Sequence, residues 1–270
     1  MPLALADEVS VELLPGASQV EFVLESAADA DVPGDATNLA ARAARRFIEA
    51  AELQDGVRVR LAKKIPSLAG LGGGSSDAAA VLRGLSELAP GRVSQERLSA
   101  LAEALGADVP FFLAPGAALV EGIGEQVTRV SGMPAHWLAL AHAGKSLPTP
   151  AVYDAWDSAA SLTAPEPRPT IRRLLTLRGQ DARTTAFGAL DAAGWRDLLV
   201  NDLESPATSL CPEVADLREE FEATRAKAIG MSGSGPTVYG VFATEKAARE
   251  ATGQIEGRHA ARTWVVKTAP

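Results

Sequence analysis

Three stretches alternate polar and apolar side chains, Glu8–Leu14, Gln19–Leu24 and Gly56–Leu61. Successive side chains of a strand face opposite ways, so this period of two predicts half-buried strands. Between the second and third, Asp35-Ala-Thr-Asn precedes an Ala-, Arg- and Phe-rich run to about Glu52, which predicts a helix capped by Thr37 or Asn38. A helix after Ser76 should end near Ala89-Pro90-Gly91. Ser94 should cap another, whose Leu98, Leu101, Ala102 and Leu105 recur at spacings of three and four before Gly106 stops it. Ala117–Val120, Trp137–Ala143, Thr237–Phe242 and Arg262–Val266 read as strands. Trp195–Leu203, Val214–Ala228 and Glu245–Ile255 read as helices, and Pro148–Arg183 as a proline-spotted stretch with short helical pieces. Helices gathered on one side of largely antiparallel sheets imply an α+β fold. A composition shift near Lys145 divides it into domains 1–145 and 146–270.

The densest chemical signal is Pro66-Ser-Leu-Ala-Gly-Leu-Gly-Gly-Gly-Ser-Ser76, running directly into Asp77-Ala-Ala-Ala-Val-Leu. Gly70, Gly72, Gly73 and Gly74 leave the backbone N–H groups open to close approach. A helix capped by Ser75 or Ser76 would turn its positive dipole end toward them. That is an anion cradle, with phosphate the expected anion. No Lys follows the glycines, so this is no Walker A loop, and Ser75 fills the slot of the third Rossmann glycine. A plain flexible turn is the alternative. Lys63 and Lys64 stand just ahead and read equally as a positive pocket or as a solvated strand end.

The 270 residues are 47% hydrophobic, enough for one large or two modest domains. A net charge of −8 argues against a nucleic-acid-coating surface; a local pocket can still hold an anionic substrate. Cys211 is the single cysteine, so no intrachain disulfide forms, and His136, His142 and His259 share no metal-ligand spacing. No apolar run is long enough to span a membrane and no signal peptide is evident. A cytoplasmic small-molecule protein is expected, a monomer or weak homodimer without nucleic-acid or membrane partners.

Three more segments matter once the loop is read as a phosphate site. Asp108, in Leu105-Gly-Ala-Asp-Val-Pro-Phe-Phe, could project as a general base or merely cap a short helix beginning at Val109-Pro110. Asn201-Asp-Leu-Glu reads as a polar helix end, and Gly233-Ser-Gly235 as a strand lead-in.

In this order, and together with Glu121-Gly-Ile-Gly-Glu, Pro148-Thr-Pro-Ala-Val-Tyr and Met231-Ser-Gly-Ser-Gly-Pro-Thr-Val, these words resemble the GHMP kinases. Within them they resemble the 4-diphosphocytidyl-2-C-methyl-D-erythritol kinase family, over nearly the whole chain from about Ala6. The resemblance implies a ribosomal-S5-domain-2-like first domain and a ferredoxin-like α+β second domain, with substrates held between them. It implies transfer of the ATP γ-phosphoryl group to the 2-hydroxyl of CDP-methylerythritol, with Mg²⁺, in the non-mevalonate route to isoprenoid precursors. By the same resemblance Pro66, Ser67, Leu68, Ala69, Gly70, Leu71, Gly72, Gly73, Gly74, Ser75 and Ser76 bind the ATP phosphates, and Asp108 is catalytic. Tyr153 stacks on cytosine, with Thr149 and Pro150 on the acceptor side, while Lys63 and Asn38 line the adenine end. Homoserine- or mevalonate-type kinases are the alternative within the superfamily.

One departure stands out. The family opens with a Pro-Ala-Lys-Ile-Asn-Leu strand and an Asp-Gly-Tyr-His-Glu-Leu segment, and this chain shows neither. In the family that lysine partners the catalytic Asp, and the Tyr-His pair embraces cytidine. Two readings stay open: a shortened form of an intact kinase, or a weak nucleotide-binding relative. Losing a first strand should expose a sheet edge, so the 270-residue form is expected to be unstable or prone to associate, and weakly active.

Overall fold

A computed structural model describes residues 1–27, 31–130, 134–159, 196 and 198–269. Its contacts divide the chain into two compact units, one holding Leu5–Ser67 and Gly72–Arg129, the other Met1–Ala4, Leu68–Leu71 and Val130–Pro270.

In the first unit, β1 (Glu8–Leu14), β2 (Val20–Ser26) and β3 (Gly56–Ala62) form a sheet in the order β1-β3-β2. β3 pairs antiparallel with β1 but parallel with β2, so the antiparallel expectation holds for one of its two neighbours. The parallel pairing needs a crossover, and α1 (Leu39–Ala51) supplies it. Ala40, Ala43, Ala44, Phe47 and Ala51 make its buried stripe. They pack with Val57 and Val59 of β3 and with Ala78, Val81, Leu82 and Leu85 of α2 (Gly73–Leu88) in one core. α3 (Gln95–Leu105) adds Leu98, Leu101, Ala102 and Leu105, starting at Ser94, whose hydroxyl accepts the Arg97 amide. A short α4 (Val109–Phe112) and the hairpin β4 (Ala117–Glu121), β5 (Gln126–Val130) follow.

The second unit has a four-stranded sheet built from β6 (Trp137–His142), β7 (Ala228–Met231), β8 (Thr237–Phe242) and β9 (Arg262–Lys267), ordered β7-β8-β6-β9. All its pairings are antiparallel. Among the described residues its helices include α5 (Thr149–Ala159), α6 (Glu204–Leu210), α7 (Glu213–Glu222) and α8 (Glu245–Glu256). Val152, Ala207, Leu217, Phe221, Ala248 and Ile255 bury against Ala139, Val238 and Phe242.

Three expectations need correction. β6 belongs to the second sheet, so the last passage of the chain between the units falls at Arg129–Val130, not at 145. The composition shift at Lys145 marks only the approach to α5. The helix read through Ala228 stops at Glu222, because Ala228–Met231 is an edge strand beside β8. α6 begins after Asn201-Asp-Leu, so that motif leads into a helix. The stretch 160–183 and Trp195 lie outside the described residues.

Candidate functional site

β3 delivers the chain to the glycine loop and α2 takes it away. Gly72 occupies the N-cap of α2 with φ 67° and ψ 18°, a left-handed conformation that a side chain disfavours. The helix therefore begins at Gly73, which corrects the expected caps Ser75 and Ser76. Both serines lie in the first turn, where the Ser76 hydroxyl donates to Gly73 O at 2.7 Å. No side chain caps α2. The N–H groups of Gly73, Gly74 and Ser75 have no intrahelical acceptor, and the helix dipole adds positive character there. Gly74 is exposed, and a methyl added to it would meet no atom within 4 Å. The first turn is thus an anion-accepting backbone surface.

Asp108 sits at the N-cap position of α4, exposed and making no capping bond. The plain capping reading of this residue is therefore not what the structure shows. α4 is fixed from two directions. Phe112 lies against Gly72, where an added methyl would come 3.0 Å from the ring. The Arg129 guanidinium donates to Phe111 O at 2.5 Å and Gly116 O at 2.9 Å, and stands 5.3 Å from the Phe111 ring centroid. The Glu121-Gly-Ile-Gly-Glu turn closes on the same segment, since a methyl on Gly124 would fall 2.0 Å from Ala107 O. Sequence reasoning missed Arg129, a lone arginine in a short strand with no motif around it.

In the second unit, Leu68–Leu71 runs beside the Ser232–Gly235 turn. The Ser232 hydroxyl donates to Gly70 O at 2.9 Å, and the Leu147 amide donates to Leu68 O at 3.4 Å. Leu68 itself is 44% exposed at φ 51°, an uncommon conformation for a bulky residue. Asn201 is no solvated terminus. Its side-chain amide donates to Met231 O and Gly233 O at 2.9 and 2.7 Å, and its oxygen accepts the Leu203 amide. The Thr149 and Ser234 hydroxyls pair at 2.9 Å. Thr149 and Pro150 are exposed at the start of α5, and Tyr153 is 50% exposed one turn later.

The two residues expected at the adenine end have internal partners. The Asn38 side chain caps α1 through the Ala40 amide and donates to Pro33 O. Lys63 is buried between Asp7 and Asp77, and Lys64 is exposed.

The GHMP kinases N terminal domain matches residues 38–116, and the GHMP kinases C terminal domain matches residues 181–260. A 4-diphosphocytidyl-2-C-methyl-D-erythritol kinase of Citrifermentans bemidjiense is 37% identical over 251 residues, covering 93% of this chain and 82% of that one. Its counterpart in Geobacter metallireducens is also 37% identical over 251 residues, with the same coverage. Among solved structures, a 4-(cytidine 5'-diphospho)-2C-methyl-D-erythritol kinase superposes with a TM-score of 0.73 at 34% identity, covering 99% of this chain and 88% of that chain. A homoserine kinase from Cytophaga hutchinsonii reaches a TM-score of 0.72 at 20% identity, which speaks to the fold alone. The two matched domains, the α+β architecture and the extent of this identity establish that the chain belongs to the 4-diphosphocytidyl-2-C-methyl-D-erythritol kinase family of GHMP kinases.

Proposed function

We propose that the chain transfers the γ-phosphoryl group of ATP to the 2-hydroxyl of 4-diphosphocytidyl-2-C-methyl-D-erythritol. The observation that carries the reading is the start of α2, where a left-handed Gly72 opens a helix whose first-turn amides no side chain caps. A triphosphate tail fits that surface because its oxygens are anionic acceptors and glycine removes the steric barrier. Asp108 is the base of the reaction. As the acceptor hydroxyl oxygen bonds to the γ-phosphorus and the bond to the β–γ bridging oxygen breaks, its proton passes to the Asp108 carboxylate and ADP departs. Mg²⁺ carried on the nucleotide would neutralise charge on the β- and γ-phosphates.

ADP release measured with the cytidine diphosphate acceptor, homoserine and mevalonate in parallel tests the assignment. Turnover with the first alone is expected. Turnover with either of the others would overturn the acceptor, and ATP binding without product from any of them would leave a nucleotide-binding relative.

Tyr153 presents a half-exposed aromatic face beside Thr149 and Pro150. We assign it to the cytosine ring. Stacking of this kind contributes about 1–3 kcal/mol per base, so Tyr153→Ala should raise the acceptor KM by roughly 5- to 150-fold. The ATP KM should stay unchanged. Equal acceptor KM values for the two proteins in steady-state assays would remove Tyr153 from the site.

A further inference from the structure

Beside the start of α2, within the first unit, lies a charge cluster that the reaction does not use directly. The side chains of Asp7, Lys63 and Asp77 are 2%, 4% and 4% exposed. The Lys63 ammonium pairs with Asp7 Oδ2 and with Asp77 Oδ2, the latter at 2.9 Å. The other Asp7 oxygen accepts the backbone N–H groups of Lys64 at 2.6 Å and Ile65 at 2.8 Å. Ile65 and Lys63 both press on the start of α2. A methyl added to Gly73 would stand 3.0 Å from Ile65 Cγ2 and 3.0 Å from Lys63 Nζ.

A buried ion cluster is a poor way to stabilise a fold, because desolvation offsets most of the Coulombic gain. Its contacts suggest a geometric role instead. Asp7 grips the backbone that runs into the loop, Asp77 lies in the second turn of the helix that leaves it, and Lys63 joins the two. We propose that Asp7, Lys63 and Asp77 are positioning residues that clamp the two ends of the glycine loop and so hold the first-turn amides of α2 ready for the triphosphate. The second half of this inference rests on the kinase reading above, whereas the clamp itself does not.

The cluster has two carboxylates for one ammonium. Asp7 accepts from three donors and Asp77 from Lys63, so Asp77 is the carboxylate less well supported as an anion. Burial foremost, and then the Asp7 charge, push it up to about 7 against the pull of Lys63. Between the ordinary Asp range and pH 7 the native state holds a proton that the unfolded chain has lost. Stability from this group therefore falls as pH rises through that window and levels off above it. The ionic Lys63–Asp77 bond, in contrast, is complete only above pH 7. Fold stability and clamping thus respond to pH in opposite directions.

Asp77→Asn separates the two, because it leaves Lys63 balanced by Asp7. Its melting temperature relative to the native chain should rise from pH 5 to pH 8. Amide hydrogen exchange of residues 66–74 in the nucleotide-free protein should quicken about tenfold at pH 8 while the β1–β3 core exchanges as before. Binding of a non-hydrolysable ATP analogue, followed by calorimetry, should weaken about tenfold at pH 8, and the tighter binding at pH 8 than at pH 6 expected of the native chain should be lost. Lys63→Met is the second variant, with the same expected loop exchange. Unchanged loop exchange in Asp77→Asn overturns the clamp. Quickened exchange with unchanged analogue affinity keeps the clamp but overturns its link to the triphosphate, and a native chain that binds no analogue overturns the kinase reading instead.

Discussion

Asp108→Asn is expected to lower kcat by about 10²–10⁴, the range a positioned general base supplies, with the ATP KM unchanged. Asn keeps the size and polarity of the side chain and removes only its ability to take the proton. Nothing in the fold should notice. Asp108 is exposed and caps nothing, and α4 is held by Phe112 against Gly72 and by Arg129 on the Phe111 and Gly116 carbonyls. Stability should therefore stay within about 0.5 kcal/mol of the native chain, as for a surface exchange without structural contacts. Steady-state kinetics with chemical denaturation on the same samples read both quantities. Parallel loss of activity and stability would make Asp108 structural, and a variant keeping a tenth or more of native kcat would need another base.

The strands were legible where alternation is strict, since Val9, Val11, Val57 and Val59 face a core that their polar neighbours avoid. β7 was hidden because four residues reading Ala-Ile-Gly-Met carry no alternation and are bounded only by pairing with β8. The helix read across that region ran on for the same reason: nothing local marks Glu222 as its end. At the candidate site the glycine loop stood out as a rare residue pattern, whereas the residues around Asp108 fitted a helix cap equally well and only the family resemblance pointed to catalysis. What sequence could not supply was the three-dimensional partner of each piece. Lys63 and Lys64 are adjacent and chemically alike, yet one is buried between two carboxylates and the other exposed, because consecutive residues leaving β3 point opposite ways. Asp7 gave no signal at all, lying in an unpatterned segment 56 residues from Lys63.

Gly70→Ala and Gly74→Ala should move stability and binding independently, although the two glycines belong to one glycine-rich run of the sequence. Gly70 adopts φ 71°, and a methyl there would sit 2.1 Å from Ser232 O and 2.9 Å from the Gly235 nitrogen. Those are backbone atoms of a turn that Asn201 ties in place, so they have little room to give. A left-handed alanine costs about 1–2 kcal/mol and the overlap about 1–3 kcal/mol more, so Gly70→Ala should lose roughly 2–5 kcal/mol in denaturant titrations. Gly74 has no neighbour within 4 Å and needs no positive φ. Alanine there should fold as well as the native chain or gain up to about 1 kcal/mol from helix propensity. Yet its methyl group would occupy the space in front of the first-turn amides. ATP affinity should therefore fall at least about tenfold in a protein that is no less stable. That dissociation has no explanation in the packing of the chain and requires an anion lying against the helix start. A Gly74→Ala protein with native ATP affinity would instead locate the triphosphate away from α2, however well the rest of the fold behaved.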